Sequence, residues 1–218
     1  MKNVLIVFSG KAQSGKTTAS NALKKIIYAD IENRNPDINP NRLGGGAHIH
    51  SFAKALKEIA SEYFGWTGDK GLYYHDTADS GAVDIHGDGQ VDAIGSLPIP
   101  DKGRQLLINI GQVFRGIRPT IWVDYVINNI KKHSEEHNSG QVYIIDDMRF
   151  RNELAIAKTF ENCVSVRLRR NSQLGIDDIS ENDLDNSEFD YHIDNNGDPE
   201  DLEAKMSGLF EEIKLKYR

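Results

Sequence analysis

Cysteine is nearly missing from this chain. Cys163 is the only one in 218 residues, which excludes an intramolecular disulfide and fits a reducing compartment. Long apolar runs are missing as well. No stretch reaches the ~18 residues a transmembrane helix needs. The opening MKNVLIVFSG carries five consecutive apolar residues, too few for the apolar segment of a secretory leader. The expectation is a cytoplasmic protein with no membrane partner. Positive charge is in deficit: 26 Lys and Arg against 33 Asp and Glu leave a net charge of -7. Such a chain lacks the broad cationic surface of sequence-independent nucleic-acid binding, so no nucleic-acid partner is expected. Repeats and low-complexity tracts are absent too. What is there, 39% apolar and 27% charged residues, reads as one globular domain over 1–218.

The apolar pattern organises that domain. Residues 4–8, VLIVF, form a continuous apolar run bounded by Asn3 and Ser9, the pattern of a central parallel strand buried on both faces. Similar signals predict strands at 48–53, 141–145, 163–168 and 191–193. Helical spacing runs over 17–28, 53–64, 104–115, 121–133, 152–160 and 199–215. The alternation predicts an α/β fold, a three-layer α/β/α arrangement around a mainly parallel five-stranded sheet. Residues 30–46 read as loop. Residues 65–103 are rich in Gly, Asp and Pro without a period and read as an insertion; 171–188 read as a lid-like loop.

Between the first strand and the first helix lies Gly10-Lys-Ala-Gln-Ser-Gly15-Lys16-Thr17, which matches G-x-x-x-x-G-K-[ST], the P-loop spacing. Its glycines let the backbone curl so that successive N–H groups converge on phosphate oxygens. The following helix N-terminus adds partial positive charge. In that pattern Lys16 faces the β- and γ-phosphates, and the Thr17 hydroxyl ligates Mg²⁺.

Asp146 and Asp147 close the strand at 141–145, where a strand-terminal Asp would hold the metal. Adjacent acids point opposite ways on a strand, and Asp147 is the one expected beside the loop; the alternative is a turn Asp that caps a helix. Arg149 and Arg151 follow, in Asp147-Met-Arg149-Phe-Arg151-Asn-Glu153. Two guanidinium groups beside a phosphate loop suit transfer to an acceptor that is itself a phosphate, where anion repulsion is the barrier. Surface arginines paired with Glu153 are the competing reading. Arg104 and Arg115 stand about three helical turns apart and can share a face. Trp122 stacks on a base or fills core. Arg169, with Arg167 and Arg170, covers the triphosphate or belongs to a solvated cluster. Asp84–Asp92 echoes a Ca²⁺ loop but has Gly95 at the twelfth position, and His48-Ile-His50 lacks a third ligand; both read as metal-free.

Taken in order, these segments resemble the phage-type deoxynucleoside monophosphate kinases. GKAQSGKTT is similar to the family's phosphate loop. Ser51-Phe-Ala-Lys-Ala-Leu-Lys57-Glu resembles the segment after its second strand, with Ala55 where Pro is common. Gly103-Arg104-Gln-Leu-Leu-Ile-Asn-Ile-Gly111 resembles its R-x-L-(L/M)-Q-x-(L/I)-G helix, with Asn109 for Gln and Gln112 where Thr is frequent. Asp147-Met-Arg149-Phe-Arg151-Asn152-Glu153 resembles D-x-R-F-x-N-E, and Asp190–Gly197 resembles the tail before the last helix.

The resemblance implies ATP and Mg²⁺ as cofactors. It places ATP on Gly10, Ala12, Gln13, Ser14, Gly15, Lys16, Thr17 and Thr18, with Arg169 and Asn196 nearby. It places the acceptor nucleotide among Lys57, Arg104, Arg115, Trp122, Asp147, Arg149 and Glu153. Lys16, Arg149 and Arg104 are the expected catalytic groups, and Thr17 and Asp147 the metal ligands. The expected activity is phosphorylation of (deoxy)nucleoside monophosphates, with nucleotides as the only partners beyond a family-level homodimer and host cytoplasm as the place if phage-encoded. A P-loop kinase of another small acceptor, such as dephospho-coenzyme A, and a partner-stimulated ATPase are the alternatives.

Overall fold

The computed structural model describes residues 1–34, 46–66, 68, 83–85, 91–93, 102–137, 140–171 and 182–218. These form two compact units, Met1–Phe52 with Val123–Arg218, and Ala53–Trp122. The expected insertion 65–103 and lid-like loop 171–188 fall largely outside the described residues.

The first unit is built on a five-stranded sheet. β1 (Val4–Ser9) lies at its centre, all six residues buried. After α1 (Lys16–Arg34) comes β2 (Ala47–His50), and later β5 (Val142–Met148), β6 (Cys163–Arg169) and β7 (Tyr191–Asp194). The order is β2-β5-β1-β6-β7, and every pairing is parallel. The chain therefore leaves β1 in one direction to reach β2 and later crosses it in the other, from β5 to β6. That reversal opens a crevice at the carboxyl ends of the strands beside β1.

Side chains sort by alternation. Val4, Ile6 and Phe8 pack with Ala19, Leu23 and Ile27 of α1 and with Leu202, Met206, Phe210 and Ile213 of the last helix, α6 (Pro199–Lys216). The opposite face carries α5 (Arg151–Ala157), which packs on β1. It also carries α4 (Ile121–Glu136), whose His133 Nδ1 lies 2.8 Å from the Tyr143 hydroxyl of β5. Helices on both faces of a parallel sheet are compatible with a three-layer α/β/α arrangement.

The second unit holds α2 (Ala53–Phe64), a hairpin of β3 (Val83–Ile85) and β4 (Val91–Ala93), and α3 (Lys102–Ile117). α2 packs on α3 where Gly111 leaves room: a Cβ there would stand 3.1 Å from Leu56 Cδ1. No helix among the described residues is long and apolar enough to cross a membrane.

Three local expectations need correction. α1 does not stop near Tyr28 but runs to Arg34, because Asp30 on that polar stretch pairs with Arg34 and, at 2.8 Å, with Lys214 of α6. β5 does not close at the two acids but runs past them to Met148, which still pairs with Ser9 beyond a register shift. The hairpin of β3 and β4 lies in a stretch whose sequence shows no period.

Candidate functional site

β1 delivers the chain to the carboxyl edge of the sheet at Ser9, and residues 10–15 turn back into α1, which starts at Lys16. Gly10 is packed too tightly for any side chain: a Cβ would lie 2.6 Å from the Leu168 carbonyl oxygen and 2.4 Å from Ser14 Oγ. Gln13 (φ 60°) and Gly15 (φ 94°) take left-handed backbone. Ser14 N–H closes the first turn on the Lys11 carbonyl at 3.1 Å, and Ala19 N–H accepts its place in the helix by donating to Gly15 O at 2.8 Å.

Three side chains lock this loop. Lys16 Nζ donates to the carbonyls of Gly10 at 2.6 Å and Lys11 at 2.9 Å, so its ammonium lies across the loop. Thr17 Oγ1 donates to Asp146 Oδ2 at 3.1 Å. Asn195, at the end of β7 and buried, donates its Nδ2 to the Ser14 carbonyl at 2.9 Å. Gly15 must lack a Cβ for this bond to exist, since one would stand 2.3 Å from that nitrogen. Ser14 Oγ is buried without a hydrogen-bond partner among the described residues. Thr18 is exposed in the first turn of α1, and Ala12 is partly buried. A loop with an orphaned hydroxyl, two side-chain-free positions and a lysine across it has the donor set of an anion cradle.

The two acids of β5 divide their work. Asp146 faces the loop. Burial raises its carboxyl above the usual range, the Asp147 charge raises it further, and the Thr17 hydroxyl and Lys16 ammonium oppose the rise. Asp147, expected beside Thr17, instead accepts Ser51 Oγ at 2.5 Å and Phe52 N–H at 2.8 Å, holding the turn after β2. A divalent cation at Thr17 would therefore find Asp146, not Asp147, as its neighbouring carboxylate.

Glu153 is 4% exposed, and one of its oxygens accepts the backbone N–H groups of Arg149 (2.7 Å) and Phe150 (3.0 Å). It thus shapes the turn that carries Arg149, which is half-buried. Arg151 Nε donates to the Asp183 carbonyl at 2.8 Å. On the other flank a pocket of ≈ 310 Å³ lies against the loop, bounded by Lys11, Arg167, Arg169, Arg170, Phe189 and His192 among others. Arg169 is exposed at its edge. Asn196 Oδ1 accepts Asn171 N–H at 2.8 Å, tying the exits of β6 and β7.

The remaining expected residues belong to the second unit. Lys57 is exposed on α2, Arg104 is placed in α3 by its backbone, and Arg115 is half-buried in the last turn of α3. Trp122 is 4% exposed, donates Nε1–H to the Gly111 carbonyl at 3.4 Å and packs on Phe114, so it serves as core in that unit.

The structure thus brings together Gly10–Thr18, Asp146, Asn195 and the arginines of the β6 end. Sequence reasoning missed the Asn195 bond and the Thr17–Asp146 pairing; strict strand alternation offered the second only as one of two choices. Neither a family model nor a curated protein matches the chain.

Proposed function

We propose that the protein is a P-loop phosphotransferase that moves the γ-phosphoryl group of Mg·ATP to a (deoxy)nucleoside 5'-monophosphate. The observation that carries this reading is the Gly10–Thr17 loop, with Lys16 across it and Thr17 paired to the Asp146 carboxylate near the carboxyl end of β5. In support stand the all-parallel sheet with its crevice beside β1, and the resemblance of the ordered motifs to the phage-type kinases.

The residues fit the expected group. Backbone N–H groups of the loop and the Ser14 hydroxyl bind donor phosphate oxygens, and Lys16 moves from the loop carbonyls to the phosphates. Thr17 and Asp146 would hold Mg²⁺, whose chemistry there is to neutralise charge on the transferring group. Arg149, held by Glu153, offers its guanidinium to the acceptor phosphate, so that two anions are aligned in spite of their repulsion. Arg169 lies where the donor extends past the loop.

ADP formation from Mg·ATP against a panel of dNMPs and NMPs tests this. Turnover that requires one or a few monophosphates is expected, falling by about 10²–10³ in Lys16→Ala. ADP release regardless of acceptor, or none with any monophosphate, rejects it in favour of a stimulated ATPase or another acceptor.

A further inference from the structure

The turn Asn182–Asp185 grips separate parts of the candidate site with successive residues. Asn182 Oδ1 accepts Lys11 Nζ at 3.2 Å. Asp183 Oδ2 accepts the backbone N–H of Arg151 at 2.7 Å, and its carbonyl accepts Arg151 Nε at 2.8 Å. Leu184 anchors the turn with 1% exposure. Asp185 is shared: Oδ1 takes the guanidinium of Arg167, while Oδ2 lies 3.4 Å from Lys11 Nζ. Arg167 in turn donates to Ser9 Oγ at 2.7 Å, the residue from which the glycine loop departs, and its guanidinium stacks over Phe189.

Arg167 is 7% exposed, and a buried guanidinium is tolerated only with a charged partner in place. Asp185 supplies such a partner and also meets Lys11, while Arg167 carries the contact on to Ser9, so the pair reaches both sides of Gly10. Asp183 does the same for the start of α5, two residues beyond Arg149. One short turn thus meets both segments that the phosphotransferase reading assigns to donor and acceptor.

We propose that Asp185 and Asp183 are positioning residues for the two substrates, Asp185 for the donor through the loop and Asp183 for the acceptor through the Arg149–Arg151 turn. The inference rests on the reading of Gly10–Thr18 as a nucleotide-binding loop.

Binding of Mg·tripolyphosphate by calorimetry, alongside KM for ATP and for the preferred monophosphate, tests it in the full chain. In Asp185→Asn, tripolyphosphate affinity is expected to fall about tenfold and KM for ATP to rise equally, with the monophosphate KM moving less than about twofold. In Asp183→Asn the pattern inverts: tripolyphosphate affinity holds within about twofold and the monophosphate KM rises about tenfold. Wild-type affinity in Asp185→Asn, or equal losses at both ligands in both variants in step with a lowered melting temperature, overturns the proposal while leaving the loop reading intact. No tripolyphosphate binding by the wild type rejects the loop reading, and the proposal with it. Should Asp185→Asn not fold, Asp185→Glu keeps the charge but displaces it by one methylene. An affinity loss of about threefold is then expected, and unchanged affinity overturns the proposal.

Discussion

Gly15 carries two requirements at once: a backbone φ of 94° and a vacancy that Asn195 Nδ2 fills. An Ala there is strained by its backbone and collides with the amide, at a cost of about 1–3 kcal/mol. Asn195→Ala alone leaves the Ser14 carbonyl buried without its donor, for a similar penalty of about 1–3 kcal/mol. Because both changes act on one contact, the double variant is expected to lose less stability than the sum of the two. Denaturant unfolding of the four species measures that coupling, and strict additivity would contradict the shared contact. The two glycines of the loop were legible from motif spacing. The reason Gly15 must be Gly was not, because Asn195 lies 180 residues away in sequence (195 minus 15) and only the β7 register brings it there.

Among elements, α4 meets the β2–β5 edge through an imidazole cluster. The rings of His48 and His133 lie 4.8 Å apart, and those of His133 and His137 stack at 4.0 Å. Burial pushes His133 below the usual histidine range, the nearby His137 and His48 charges push it further, and Glu136 opposes them. A histidine lowered in the folded state binds its proton more readily in the unfolded chain. Stability is then complete above the ordinary pKa and declines as pH falls from there through the lowered value. Melting temperature is expected to drop as pH is taken below about 6.5, and His133→Gln, which keeps a polar partner for Tyr143, to flatten that decline. A parallel curve for the variant would remove His133 as its cause.

The same scale explains what the sequence disclosed. The strands β1, β5 and β6 were readable because parallel strands covered on both faces are nearly unbroken apolar runs. The start of α2 was readable from periodicity, but its packing against α3, Leu56 beside Gly111, joins segments far apart in sequence. The last turn of α1 was hidden, because Asp30 and Arg34 look like loop residues until Lys214 of α6 arrives beside them. The Asp146–Asp147 pair was ambiguous for a simple reason: alternation says that they point apart, not which one faces Thr17.

In the molecule as a whole, the hydrophobic centre is assembled from pieces distant in sequence. Val4 pairs with Val142 and Leu5 with Cys163, so both neighbours of β1 come late in the chain. During synthesis VLIVF leaves the ribosome long before either edge can be covered. Closing loops of that length before any pairing rewards them makes sheet formation slow. Nascent chains halted before residue 142 are expected to expose β1 to chaperones and proteases, and protection to appear only once residues through 169 have emerged. Limited proteolysis of stalled chains of increasing length would locate that step; protection of β1 in the shorter chains would place the folding nucleus elsewhere. For a phosphate loop hung directly on β1, the ability to bind a ligand would then be among the last properties the growing chain acquires.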